Sequence, residues 1–165
     1  MALEFDTQFA PAYGRAVEAG PGVLRLTVNN PSPFTFHGTN SYVVGTSSLA
    51  VIDPGPDDDA HLEALLKAID GRPVSHILVS HTHRDHSPLA ARLAEITGAL
   101  VCAEGPHRPA RSLRIGETNP LDASADTDFK PDLTLKDNEL IEGDGWELRA
   151  IHTPGHAANH TVFAL

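Results

Sequence analysis

The stretch HTHRDH, residues 81–86, places three imidazoles and a carboxylate within six positions. It follows VSHILVS (74–80), a β-branched and nearly continuous apolar run that reads as a strand covered on both faces. A strand that opens into a loop and then a helix presents the loop at the carboxyl end of its sheet, where open α/β folds bind ligands. His81 and His83 are two apart, so extended backbone sends both side chains to one side, where they can converge on one cation. The turn into a helix near residue 87 brings Asp85 and His86 back toward a neighbouring position. Imidazole and carboxylate together suit Zn2+, Fe2+ or Mn2+. The plain alternative is a polar loop of solvated histidines, and so many donors at one strand-to-helix junction weigh against it.

A second loop, HTPGHAANH (152–160), supplies His152, His156 and His160. Pro154–Gly155 forces a turn just ahead of His156, which makes it the expected third ligand of a first metal.

Positioning these loops requires a sheet and helices around them. GVLRLTVNN (22–30) alternates as a strand, and the Pro-, Gly- and Asn-rich NPSPFTFHGTN follows as a loop. SYVVGTSSLAVIDPG gives strands at 41–44 and 49–52, ending at Asp53. Asp57 to Asp59 offer an N-cap and first-turn acids, Leu62, Leu65, Leu66 and Ile69 recur at helical spacing, and Asp70–Gly71 closes the helix. After HTHRDH, Ser87–Pro88 supplies a cap and a first-turn proline for a helix lined by Leu89, Leu93 and Ile96. ALVCA (99–103) is a buried strand with Cys102 as core, and Pro- and Gly-rich residues 104–131 read as a long loop or lid. LTLKDNELIEGDGWELRAIHT then gives three short strands with a hairpin at GDG. Trp146 is expected between sheet and helix, and His37, His61 and His76 have no evident partner.

With 165 residues the chain suits one domain, here taken as 1–165. Its formal charge of −10 argues against non-specific nucleic-acid binding. One cysteine excludes an intrachain disulfide, and neither a signal peptide nor an apolar run near the roughly 18 residues of a membrane span is evident. A cytoplasmic protein with no membrane partner is the expectation.

HxHxDH at 81–86, TPGH at 153–156 and VIDPG at 51–55 together resemble the metallo-β-lactamase superfamily over residues 20–165. Within it they are similar to the branch related to glyoxalase II and the β-lactamase-like 2 proteins. The resemblance implies an α/β fold, the αββα sandwich, with a metal site at one edge of two packed sheets. It assigns the first metal to His81, His83 and His156 and the second to Asp85 and His86. Asp53 would lie beneath as a buried acid that orients a ligand imidazole. The family pattern continues with a bridging Asp and a final His, and neither follows His156 here. TVFAL is also an apolar strand with no turn or cap after it. The sandwich is therefore expected to be incomplete, truncated after its first half and the start of the second.

The implied activity is a zinc-dependent hydrolase of a small-molecule ester, thioester or phosphodiester. Two metals about 3.5–4 Å apart would hold a hydroxide for attack on a carbonyl or phosphoryl centre. Asp85 would bind metal and accept a proton, while His160, Asn40, His107, Arg108 and Arg111 are candidates for substrate contact. With two zinc ions in the full-length protein, this chain is expected to hold one or a partial complement and to turn over little. Other possibilities are an endoribonuclease of the same superfamily, a mononuclear iron persulfide dioxygenase, and a non-catalytic metal-binding domain. β-Lactam hydrolysis is disfavoured by the absence of a secretion signal.

Overall fold

A computed structural model of the protein describes residues 8–109, 111, 113–118 and 124–165. The expected lid over 104–131 lies partly outside that range. The strands β1 (Val17–Gly20), β2 (Val23–Thr27), β3 (Asn40–Val44) and β4 (Leu49–Ile52) form an antiparallel meander. Helix α1 (Asp59–Ile69), strand β5 (Val74–Leu78), helix α2 (Leu89–Thr97) and strand β6 (Leu100–Ala103) follow, with β4, β5 and β6 parallel. The short β7 (Leu133–Thr134) completes the large sheet in the order β1-β2-β3-β4-β5-β6-β7. The antiparallel β8 (Leu140–Gly143), β9 (Trp146–His152) and β10 (Thr161–Ala164) make a second sheet, ordered β10-β9-β8.

Alternation along each strand divides the core in two. Val51, Ile77 and Val101 face the helices, where they meet Leu62, Leu65, Leu89 and Leu93. Their neighbours Ala50, Leu78 and Cys102 face the small sheet and meet Ile141, Trp146 and Leu148. Each fully buried leucine contributes about 1.5–3 kcal/mol. The large sheet is thus covered on both faces, which explains why VSHILVS is almost continuously apolar.

Helix α1 matches its sequence signals. Asp58 caps it by accepting the His61 amide at 2.7 Å, and Asp70 ends it in the left-handed region with φ 51°. His61 has a partner after all: buried, it sits 2.8 Å from the Ser41 hydroxyl, and burial lowers its pKa to about 4 against the opposing pull of Asp58. Helix α2 departs from expectation in two ways. Ser87 does not cap it, because the chain is already wound one turn earlier (Ala90 N–H to Ser87 O, 2.9 Å) and the Ser87 hydroxyl donates to Asp126 at 2.7 Å. Ile96 is 55% exposed, so the buried stripe is Leu89, Ala90 and Leu93.

Trp146 lies between the two sheets, not between sheet and helix, since β9 points Trp146, Leu148 and Ala150 at the large sheet. Its indole N–H donates to the Ser48 carbonyl at 2.9 Å, and a Cβ on Gly143 would come within 2.1 Å of the ring. Cys102 is buried and unpaired, as expected of a core thiol. Among the described residues no helix is long and apolar enough to cross a membrane.

Candidate metal centre

The site grows from the carboxyl ends of β4 and β5. The Asp53 N–H donates to Leu78 O at 2.8 Å, after which β4 turns away through Asp-Pro-Gly with Asp53 at φ 49°. Aspartate tolerates this left-handed conformation better than most residues. Gly55 N–H to His86 O (2.9 Å) and Leu89 N–H to Gly55 O (3.0 Å) then stitch the turn to the HTHRDH loop.

Asp53 therefore sits beneath that loop. One carboxylate oxygen accepts the Ser80 amide at 2.7 Å; the other accepts the Ser80 hydroxyl at 2.6 Å and His86 Nδ1 at 2.9 Å. The Ser80 hydroxyl also lies 3.0 Å from His81 Nδ1, and His81 Nε2 lies 3.1 Å from His83 Nδ1. His156 closes the group, so that one donor atom from each of His81, His83 and His156 lies within 4.8 Å of the others.

This arrangement suits a metal ion. Two nitrogens on a tetrahedral zinc at 2.0–2.1 Å stand about 3.3 Å apart, close to the separation of the His81 and His83 nitrogens. A cation also needs neutral imidazoles. Burial, reinforced by the surrounding imidazoles, holds His81 far below the usual histidine range; burial and His156 lower His83 as well.

Beside this group, His86 Nε2 and Asp85 Oδ2 are 3.2 Å apart, and Thr39 Oγ1 donates to Asp85 at 2.8 Å. Burial opposes a charged His86, but Asp53 and Asp85 outweigh it and raise its pKa to about 9. Burial likewise opposes ionisation of Asp85, yet bonds from His86 and Thr39 bring it well below the usual carboxylate range. A protonated imidazole between two carboxylates supplies positive charge at a position a dication could take over.

The remaining sequence candidates separate clearly. The His160 ring lies 5.1 Å from that of His81, and its Nδ1 is 2.7 Å from the Thr153 hydroxyl. It lines a cavity of roughly 470 Å3 in which His81 and His86 meet Tyr42, Leu148 and Phe163. Asn40 accepts a hydrogen bond from Thr27 at 2.8 Å; the residue of that loop touching the cluster is its neighbour Thr39. His107 Nδ1 is 3.2 Å from the Thr82 hydroxyl. Arg108 binds both oxygens of Glu104 at 2.5 Å and donates to Ala158 O at 3.2 Å, and Arg111 pairs with Glu117. His152 points elsewhere, to Leu135 O at 3.1 Å.

Ser80 and Asn159 escaped the reading of the sequence. Asn159 is 2% exposed and donates to Thr82 Oγ1 (3.1 Å) and Gly105 O (3.1 Å), clasping the His156 loop to the HTHRDH loop. A polar residue at an apolar strand's end and an Asn between two histidines were the available signals.

The family model for the metallo-β-lactamase superfamily matches residues 34–165. The chain belongs to this superfamily. Among its relatives, a β-lactamase-like protein 2 homolog of Drosophila melanogaster is 32% identical over 150 residues, covering 87% of this chain and 48% of that protein. An atrochrysone carboxyl ACP thioesterase from Cryptosporiopsis is 30% identical over 153 residues, covering 90% of this chain and 41% of that protein. A solved metallo-β-lactamase from Cronobacter sakazakii superposes with a TM-score of 0.69 at 26% identity, covering 90% of this chain and 58% of the other. The chain therefore spans less than half the length of these two curated relatives, and its fold is partial relative to the solved enzyme. The helix layer and the two packed sheets are the part of the superfamily fold it contains.

Proposed function

We propose that this chain carries the metal-holding part of a hydrolase that cleaves an ester, thioester or phosphodiester bond in a small molecule. The observation behind this reading is the convergence of His81, His83 and His156 beside the Asp85–His86 pair. Three imidazole nitrogens favour zinc. When bound, zinc would supply a Lewis acid and lower the pKa of its water toward about 7. His81, His83 and His156 would hold it, with Asp53 and Ser80 keeping the rings aimed. Asp85, kept ionised by His86 and Thr39, would stand beside that metal as a further carboxylate donor. His160 and the apolar wall of Tyr42, Leu148 and Phe163 offer a partly dry surface to the substrate.

A thioester is the favoured substrate class. The thioesterase relative supports it, and a formal charge of −10 weighs against long RNA. Asp85 and His86 contribute two donors to a second cation, so occupancy there from this chain alone is weak.

Metal analysis and zinc titration of the chain test the reading. One tightly held zinc per chain is expected, with zinc at 100 times its Kd stabilising the fold by about 2.7 kcal/mol. In a protein of its relatives' full length, hydrolysis of acyl thioesters should exceed cleavage of single-stranded RNA. Tightly bound iron with oxygen consumption would point to a dioxygenase, and failure to bind any divalent metal would sink the proposal.

A further inference from the structure

The contacts of Ser80 carry a consequence for the protonation of His81. An ionised carboxylate accepts hydrogen bonds and donates none, whereas a hydroxyl has a single hydrogen to give. At 2.6 Å from Asp53, the Ser80 hydroxyl gives that hydrogen to the carboxylate, and its amide gives another at 2.7 Å. The Ser80 carbonyl accepts the Thr161 amide at 2.8 Å, so the residue is held from both sides. Its hydroxyl has no hydrogen left for His81 Nδ1, 3.0 Å away. That contact requires the ring to be the donor, through Nδ1–H. A neutral imidazole carries one N–H, so Nε2 keeps its lone pair.

We propose that Ser80 is a positioning residue that sets the tautomer of His81, relaying Asp53 to the ring and leaving Nε2 bare toward His83. Asp53 then orients two imidazoles from one point, His86 Nδ1 directly and His81 Nδ1 through Ser80. The nitrogen facing His83 is ready to accept a cation before any cation arrives. This inference rests on the metal-holding reading of His81, His83 and His156 for its purpose, but not for its hydrogen bonds.

The test is long-range 1H–15N NMR of histidine-labelled, metal-free chain near neutral pH, with His81 assigned by comparison with His81→Gln. Wild type should show His81 protonated at Nδ1 and bare at Nε2. Ser80→Ala should lose that preference, and Ser80→Thr, which keeps the hydroxyl, should restore it. Zinc affinity measured against a competing chelator should fall about 10-fold in Ser80→Ala and recover in Ser80→Thr. An Nε2–H tautomer in wild type, or an unchanged tautomer in Ser80→Ala, overturns the proposal. If Ser80→Ala fails to fold, wild type and Ser80→Thr decide the matter alone. The stated tautomer in a wild-type chain that binds no zinc supports the relay and overturns the metal reading.

Discussion

His81 and His156 belong to one cluster, but the loops that carry them are built differently. His81 is 4% exposed, and around it Asp53 holds Ser80 and His86, Thr39 holds Asp85, and Asp126 holds Ser87. His156 is exposed, on a loop closed by short local bonds such as Thr153 N–H to His160 O at 2.8 Å. Its ties to the rest of the site include Asn159, the Ala158 carbonyl and, just past its end, the Thr161 amide on the Ser80 carbonyl. One side of the centre is preformed by packing against the sheet ends, and the other is brought to it by a few clasps. Metal affinity should accordingly depend on both sides, and the stability of the metal-free fold chiefly on the first.

Removing a ligand from each side is the strongest way to break that contrast. Zinc sites of four donors bind with about 10–16 kcal/mol in all, so one donor is worth about 3 kcal/mol, on the order of 100-fold in affinity. His81→Ala and His156→Ala should both lose that much in a zinc competition titration. In denaturant unfolding of the metal-free chain they should diverge, with His81→Ala costing about 1–3 kcal/mol and His156→Ala within about 0.5 kcal/mol. Equal costs would erase the distinction.

Asp53→Asn comes next. Asparagine keeps the tolerance for the left-handed backbone but loses the carboxylate, so zinc affinity should fall about 10- to 100-fold while the circular dichroism spectrum stays native. Asn159→Ala sharpens the other half of the comparison. It removes the donor to the Gly105 carbonyl and leaves the Thr82 hydroxyl with His107 alone, costing about 1–2 kcal/mol in stability. Hydrogen exchange should quicken over 153–160 while 74–80 is unchanged. The smallest effect belongs to Arg108→Ala, whose partly exposed pair with Glu104 is worth under about 1 kcal/mol in a melting experiment.

Much of the fold was legible because its signals are local. Alternation in GVLRLTV, the leucine spacing and Asp cap of α1 and the GDG hairpin each depend on neighbours a few residues away. The misreadings came from competing partners further off. Ser87 looks like a cap until Asp126 takes its hydroxyl, and Trp146 looks like a helix contact until the small sheet turns it toward Ala50 and Leu78. At the site, Asn40 was the residue of its loop expected near the substrate, and its neighbour Thr39 was not. Strand register decides between them, because opening β3 at Asn40 turns that side chain to Thr27 and leaves Thr39 to Asp85.

By itself the sequence determined the chemistry on offer: imidazoles and carboxylates at two strand ends, spaced so that a cation could be shared, and the periodicities that make those ends. Tertiary structure alone decided which of them meet. Asp53 and His86 are 33 positions apart, and Thr82 and Asn159 are 77. Contacts of that range depend on sheet order and on two cores filling at once, and no short window of residues encodes either.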